Sequence, residues 1–294
     1  MVRTRLTYAF FIGCVSPIMA KQNEISTRRV AEELDVKLID VNDFACCGFP
    51  VKSMDVETTL LLAARNLSVA EKLGLDICTC CSGCAVTLTK ANRELIENEK
   101  LREDVNRKLQ KIGRQYNGSV KVKHFATVLY EDVGFEKIKS KIKKSLDHLT
   151  IASHYGCHYH RPSNIYEKRE DPEFPTSLDE LVGLTGAKTV DYEDKMLCCG
   201  GNILVVDESI TFTMASRKLD HIKTANADAI NLVCPLCNII YDRNQRIIER
   251  RLSKNYGIPV LFYPQILGIA LGINQKELGL NLNRVKVSTL LDKM

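Results

Sequence analysis

Residues 44–50 read Phe-Ala-Cys-Cys-Gly-Phe-Pro, and residues 196–201 read Met-Leu-Cys-Cys-Gly-Gly. Each Cys-Cys-Gly run follows a lone cysteine and precedes a Cys-x-x-Cys motif. The distance from pair to motif differs by only one residue between the two copies. Such self-similarity indicates an internal duplication, so the sequence predicts two equivalent halves. The first copy contributes Cys14, Cys46, Cys47, Cys81 and Cys84, and the second contributes Cys157, Cys198, Cys199, Cys234 and Cys237.

The elements between the cysteines repeat as well. Asp55 is a good N-cap for a helix that ends near Gly74, and the second copy predicts a helix over about 207–224. A short apolar strand then leads into each Cys-x-x-Cys motif, over 75–78 and 229–233. Strands that alternate with helices of this length predict an α/β fold with mainly parallel sheets.

The duplication also predicts the domain organisation. Strands near 120–125 and 259–263 would complete two sheets, and the charged connector at 97–119 is typical of a solvated helix that ends in a turn. We place the boundary near residue 147, which gives one domain over 1–147 and another over 148–294. The expected architecture is two tandem domains related by a pseudo-twofold axis, each a small mainly parallel sheet flanked by helices.

Composition excludes several classes of protein. The chain has 294 residues, of which 12 are cysteine, or ~4%, well below the ~8–10% of a disulfide-stapled secreted scaffold. Its hydrophobic fraction of 45% and charged fraction of 26% are those of an ordinary globular protein and exclude wholesale disorder. A net charge of +5, no tryptophan and 6% aromatic residues argue against a nucleic-acid surface. The cysteines are the anomaly.

The N-terminal stretch has two interpretations. Arg3 and Arg5 precede an apolar run from Leu6 to Val15, an order also found in export signals. The same run is an equally good buried first strand, which the duplicated pattern favours. No apolar run approaches the ~18–20 residues of a membrane span. We therefore expect a cytoplasmic protein with no transmembrane segment.

The cysteine pattern restricts the chemistry. Thiolates are soft ligands that favour zinc, copper(I) or iron–sulfur clusters. Zinc takes four ligands, so five cysteines per copy favour an iron–sulfur cluster, although zinc held by four thiolates in one or both copies stays open. Cys78 and Cys80 are left over. A bacterial ferredoxin motif that began with Cys78, Cys81 and Cys84 would need its fourth cysteine at position 88, which is leucine. We therefore interpret Cys78 and Cys80 as small buried apolar residues.

The doubled pattern resembles the cysteine-rich CCG domain family and, within it, the B subunit of heterodisulfide reductase from methanogens and related anaerobes. The resemblance covers essentially the whole chain. One departure is the extra Cys80 beside Cys81. The segments that carry the resemblance are 10–14, 46–48, 62–66, 81–84, 154–158, 198–201 and 234–237.

The resemblance implies a cofactor, a reaction and partners. It implies two noncubane [4Fe–4S] clusters, one held by the five cysteines of each copy. It also implies that the mixed disulfide of coenzymes M and B is reduced to two thiols between them. No flavin or ferredoxin motif is evident, so electrons would come from the ferredoxin-like C subunit of heterodisulfide reductase. Beyond it the resemblance implies the flavin-containing A subunit, with a hydrogenase as a further partner.

The anionic substrate and the protons that thiol release requires suggest further residues. His154 and His158 flank Cys157 and are our candidate catalytic residues, as proton donors or anion-binding groups. His160 and Arg161 lie close behind them. Lys52 and Lys195, near the two cysteine pairs, are weaker candidates that are equally typical of ordinary surface charges. All of these side chains have a structural alternative, such as capping a turn.

Two other functions stay open. CCG domains also occur in electron-transfer subunits of anaerobic dehydrogenases, which pass electrons to quinone or to another disulfide. One copy could instead hold zinc, giving one [4Fe–4S] cluster plus one zinc ion. Both copies keep all five cysteines, which favours the catalytic alternative.

Overall fold

A computed structural model describes residues 6–166 and 170–293. Arg3 and Arg5, on which the export-signal interpretation depends, lie outside the described residues. The apolar run that follows them forms the first strand, Leu6–Phe11, as the duplicated pattern predicted.

The strands form two parallel sheets of four strands each. The first sheet has the order β2-β1-β3-β4 and the second the order β6-β5-β7-β8, so the two halves share one topology. The predicted α/β class and the doubled architecture are confirmed. The strands are β1 (Leu6–Phe11), β2 (Val36–Asp40), β3 (Asp76–Thr79), β4 (Val122–His124), β5 (Thr150–His154), β6 (Lys188–Thr189), β7 (Ala229–Leu232) and β8 (Val260–Phe262).

Helices connect the strands. The helices are α1 (Ser16–Met19), α2 (Lys21–Glu33), α3 (Val56–Lys72), α4 (Ser82–Glu97), α5 (Glu99–Gln110), α6 (Phe125–Thr127), α7 (Phe135–Lys141), α8 (Ser177–Leu184), α9 (Glu208–Thr224), α10 (Pro235–Asn238), α11 (Gln245–Leu252), α12 (Tyr263–Ala270) and α13 (Ser288–Leu291). The two predicted long helices correspond to α3 and α9. Their N-caps, Asp55 and Asp207, each accept a hydrogen bond from a backbone N–H three residues on.

The two halves pack against each other rather than standing apart. Ala9 of β1 and Ala152 of β5 belong to one buried apolar cluster, and Tyr8 and Ile151 belong to another. Helix α2 of the first half packs on α12 of the second. The boundary near residue 147 falls between β4 and β5 and stays a prediction, because the apolar core is continuous across it.

Candidate metal centre

The ten patterned cysteines lie beyond the carboxyl ends of the strands. Parallel strands of one sheet end at the same edge, and the loops that leave neighbouring strands in opposite directions open a crevice there. Strand β1 leads to the lone cysteine, β2 to the Cys-Cys pair and β3 to the Cys-x-x-Cys motif. The second sheet repeats this arrangement with β5, β6 and β7. The fold therefore gathers each set of five from three separate loops.

A glycine in the left-handed region turns the chain after each Cys-Cys pair. Gly48 has φ of 94° and Gly200 has φ of 77°. A Cβ on Gly48 would lie 2.9 Å from the carbonyl oxygen of Thr59 in α3, too close for any other residue. Thr59 and Thr211, at equivalent helix positions, each donate a hydrogen bond to the carbonyl of the glycine. The pair is thereby pinned to the helix that follows it.

The Cys-x-x-Cys motifs sit at helix N-termini. Cys81 is the N-cap of α4 and Cys234 the N-cap of α10. Cys84 and Cys237 follow in the first turns, so both sulfurs of each motif face one side. Unpaired backbone N–H groups at a helix N-terminus favour negative charge, which stabilises thiolates there.

Nine of the ten patterned thiols form one continuous chain in which each thiol shifts the pKa of the next. The link between Cys81 and Cys234 joins the two sets, so the site is continuous across the duplication. Cys14, the tenth cysteine, lies near Cys46 at one end of this chain. The order along the chain is Cys46, Cys47, Cys84, Cys81, Cys234, Cys237, Cys199, Cys198 and Cys157.

Sulfurs that accept hydrogen bonds from two neighbouring thiols become the preferred thiolates. Hydrogen bonds from Cys46 and Cys84 lower the pKa of Cys47. Bonds from Cys157 and Cys199 likewise lower the pKa of Cys198. Cys234, between Cys237 and Cys81, has its pKa lowered in the same way. Each set thus offers at least one ready anionic ligand, and a bound cation would ionise the others.

A cavity of about 620 Å³ opens between the two halves. The first cysteine set contributes Cys14, Cys47, Cys81 and Cys84 to its wall. Second-half residues close the opposite side, including His158, Gly201, Asn202, Val205 and Leu236. A cavity that borders thiols and is built from both halves is large enough for a small extended ligand.

The candidate histidines divide between the cavity and the interior. His158 lines the cavity, with its Nδ1 3.0 Å from Cys157 Sγ and its ring edge-on to Phe49 of the first half. Burial lowers its pKa, so neutral imidazole is favoured. His154 is fully buried, and its Nδ1 lies 3.1 Å from Lys218 Nζ. Burial also lowers the pKa of His154.

The remaining candidates have mostly structural contacts. His160 Nε2 lies 3.1 Å from Glu170, which in turn accepts hydrogen bonds from the start of α8. Arg161 donates to the Pro172 carbonyl. Lys195 Nζ lies 2.8 Å from Asp179, away from the cavity wall, whereas Lys52 lines the cavity.

The two leftover cysteines are buried apart from the thiol chain. Cys78 lies within β3 with no exposed surface and packs with Tyr8. Cys80 is 2% exposed, and its Sγ lies 3.8 Å from Ser16 Oγ. Burial raises the pKa of both thiols, which keeps them protonated. Their surroundings agree with the interpretation as small apolar residues.

Sequence reasoning missed two buried polar groups near the cysteines. Lys218 lies in α9 and is 1% exposed. Burial lowers its pKa to about 8, which leaves the ammonium form dominant at neutral pH. His124 Nε2 lies 2.9 Å from the carbonyl of Val233, which directly precedes Cys234. The sequence signal that could have identified Lys218 is its position on the apolar face of α9, between Ala215 and Ile222, where a lysine is unusual.

Comparison with known proteins agrees with this geometry. A family model described as a cysteine-rich domain, CCG, matches residues 8–89 and again residues 151–240. The chain belongs to the CCG cysteine-rich domain family. Each matched range contains a Cys-Cys-Gly turn and a Cys-x-x-Cys motif and spans the region of three strands, β1 to β3 or β5 to β7. The predicted duplication is therefore a duplication of the CCG domain.

Whole-length relatives of this CCG protein include named components of enzymes. The chain is 39% identical, over 97% of its length and 96% of the relative, to the B subunit of the "Ferredoxin/F(420)H(2)-dependent CoB-CoM heterodisulfide reductase" of Methanosarcina acetivorans. It is 35% identical, over 96% of its length and 98% of the relative, to the "8-methylmenaquinol:fumarate reductase membrane anchor subunit" of Wolinella succinogenes. The predicted resemblance to the B subunit of heterodisulfide reductase is confirmed.

The fold also occurs in a solved structure. A hypothetical protein from Helicobacter pylori superposes with a TM-score of 0.77 over 97% of this chain at 19% identity. The chain spans 53% of that protein, and at this identity the likeness shows the fold alone. Within residues 6–166 and 170–293, no helix combines the length and apolar character needed to cross a membrane.

Proposed function

We propose that this chain is the catalytic iron–sulfur subunit of a heterodisulfide reductase, which reduces a mixed disulfide of the coenzyme M–coenzyme B type to two thiols. The single observation that carries the proposal is the continuous chain of thiols from two five-cysteine sets, joined at Cys81 and Cys234 beside a cavity. Similarity to named heterodisulfide reductase subunits supports the same assignment.

The donor set fits two iron–sulfur clusters. Each half supplies five thiols from three loops, more than the four ligands of a zinc site. The clusters we propose are noncubane [4Fe–4S] clusters, one held by Cys14, Cys46, Cys47, Cys81 and Cys84, and the other by Cys157, Cys198, Cys199, Cys234 and Cys237. When bound, the two clusters would supply the two electrons that cleavage of one S–S bond requires, one at a time.

The chain's own residues then have definable roles. The cavity between the halves would hold the disulfide. Lys52 on its wall would attract anionic groups of the substrate, and the neutral imidazole of His158 would place its N–H group next to the sulfur chemistry. His154 is enclosed in the second half, so we assign substrate contact to His158 and not to His154.

Electrons would reach this protein from other proteins. We propose as partners the ferredoxin-like C subunit of heterodisulfide reductase, its flavin-containing A subunit, with a hydrogenase beyond them, and a cytoplasmic location for the complex. The names of the relatives, which are parts of larger enzymes, support an assembly of several subunits.

A second function has one specific observation in its favour. The relative from Wolinella succinogenes is named for a fumarate reductase and not for a disulfide reductase. The alternative is therefore an electron-transfer subunit, with the clusters passing electrons to another centre. In that case the cavity would contain no reducible substrate.

Metal analysis and an anaerobic assay test the proposal together. Anaerobically purified protein should contain about eight irons per chain, as two [4Fe–4S] clusters require, and should release thiols from an anionic mixed disulfide when a chemical reductant is supplied. Eight irons without thiol release against a panel of disulfides would favour electron transfer. About four irons with one zinc would make one half structural, and absence of iron would exclude both functions.

A further inference from the structure

The two cysteine sets differ in the buried groups behind them. At the end of β1 the first half has Phe11, and at the equivalent end of β5 the second half has His154. Both residues stand three positions before the lone cysteine of their half. The sheet register agrees, because Phe11 pairs with Thr79 and His154 with Leu232, each two residues before its Cys-x-x-Cys motif.

The helices that follow the Cys-Cys pairs differ at one equivalent position. Asn66 in α3 and Lys218 in α9 both lie eleven residues after their aspartate N-caps. Asn66 is neutral and holds the loop of its pair, donating to Cys46 O at 3.1 Å and accepting from Ala45 N at 2.8 Å. Lys218 brings a cation to the same place in the second half.

Lys218 uses all three of its donors. Its Nζ lies 2.6 Å from the carbonyl of Leu197, 3.2 Å from that of Lys195 and 3.1 Å from His154 Nδ1. An ammonium can only donate, so His154 Nδ1 must accept and the ring proton must be on Nε2. The lysine thereby selects the tautomer of the histidine.

The Nε2 atom of His154 points toward the second cysteine set. It is buried and has no hydrogen-bond partner among the described residues. A ring nitrogen of His154 and the Sγ atoms of Cys199 and Cys237 lie within 4.8 Å of one another. Nε2 and Cys237 Sγ also border the same face of Gly156. An unused N–H donor is therefore held beside two ligand sulfurs.

We propose that Lys218, acting through His154, raises the reduction potential of the centre held by the second cysteine set above that of the first. This inference rests on the proposed function, because it requires a redox centre at each set. A buried positive charge and an N–H···S hydrogen bond both stabilise the reduced, more negative state of an iron–sulfur cluster. The first half has Phe11 in place of His154 and Asn66 in place of Lys218. These two residues provide neither a buried positive charge nor the ring N–H donor.

Other charges near the sites do not cancel this difference. Arg65 and Arg217 occupy equivalent positions in the two helices. Arg65 donates to the exposed carbonyl of Asp43, where water screens its charge, and Arg217 is paired with Asp194. Lys195 is paired with Asp179. Lys52 lies at the open cavity, where water screens its charge, whereas Lys218 acts from the interior. The centre at the second cysteine set would therefore be reduced first.

Potentiometric titration followed by EPR tests the inference on the anaerobically purified protein. Signals are assigned to the two sites by their loss in Cys84→Ala and Cys237→Ala. Lys218→Met should make reduction of the second site at least tenfold less favourable, about 59 mV for one electron, and leave the first site unchanged. Lys218→Arg should restore most of the shift, and His154→Phe, which copies the first half, should reproduce the loss. Lys223→Met, on the exposed face of the same helix, is the control.

The outcomes separate this inference from the proposed function. Wild-type protein without iron would overturn both. Normal iron content with unchanged potentials in Lys218→Met, or an equal shift at both sites, would overturn the inference and leave the function intact. If Lys218→Met does not fold, Lys218→Gln removes the charge while keeping donors, and the same shift confined to the second site is expected.

Discussion

The thiols of Cys81 and Cys234 meet and shift each other's pKa, although they come from opposite halves of a duplicated chain. Each is the first cysteine of its Cys-x-x-Cys motif and the N-cap of the helix that holds the second. Two helix N-termini therefore approach each other at the point where the two cysteine sets meet. A substrate that bridges the two sets would lie against this contact. Substitution of these two residues is therefore the most direct test of the site.

Replacing Cys81 by Ala should remove about half of the iron and abolish disulfide reduction, because one cluster loses a ligand. Cys234→Ala should do the same from the other side. Iron analysis and the thiol-release assay measure both effects. Cys78→Ala is the matched control: it should keep full iron content and cost only about 1 kcal/mol of stability for a small deletion in the core. Full activity in Cys81→Ala would rule out the two-cluster mechanism.

Replacing Gly48 by Ala should lower iron occupancy in the first half. The left-handed backbone costs an alanine about 1 kcal/mol, and its Cβ would lie 2.9 Å from the carbonyl of Thr59, so the turn that presents Cys46 and Cys47 must shift. Gly74→Ala carries a similar backbone cost at φ of 65° but meets no atom within 4 Å. It should therefore lower stability and spare the iron. Equal iron loss in both variants would contradict this explanation.

Removing the charge of Lys52 should weaken binding of an anionic disulfide. A charge-assisted contact that is partly open to water is worth about 1.4 kcal/mol, so Lys52→Met should raise KM about tenfold with little change in kcat. The effect should shrink at high salt and vanish for a neutral disulfide. Lys195→Met, whose lysine is bound to Asp179, serves as the control and should keep the wild-type KM. Equal effects of the two substitutions would argue against a substrate role for Lys52.

The helix caps predict a pH dependence of stability. Hydrogen bonds from Thr58 lower the pKa of Asp55 below its ordinary value of 3.8. The folded state therefore binds fewer protons than the unfolded state. The stabilisation is present above the unfolded-state pKa and is lost as the pH falls through the lowered folded-state pKa. Asp55→Asn, which keeps an acceptor but no charge, should be less stable than wild type at about pH 6. The gap in free energy of unfolding between the two proteins should be smaller near pH 3.

Chemical denaturation at the two pH values measures this gap. Asp207→Asn is the matched variant in the second half, because the pKa of Asp207 is lowered by the same kind of contact, led by the Ile210 N–H. A gap that stays constant with pH in both variants would show that charge contributes nothing to the caps.

The sequence by itself determined the duplication, the grouping of ten cysteines into two sets and the α/β order of elements. These features depend on local patterns: a cap such as Asp55, a glycine after each pair, and apolar runs of strand or helix length. The serine cap and following proline at Ser16-Pro17 predict one helix that runs to about Leu34. The structure breaks it at Ala20, whose φ of −147° is not helical. Periodicity alone does not reveal such a single-residue break.

Only the tertiary structure decided which groups meet across the halves. The contact of Cys81 with Cys234, the cavity that includes His158, and the placement of Lys218 behind His154 all join residues far apart in the chain. No local pattern encodes them, because they depend on how two sheets with a shared core are turned toward each other. The duplication produced two equal ligand sets, and the packing of unequal residues behind them made the two sites different.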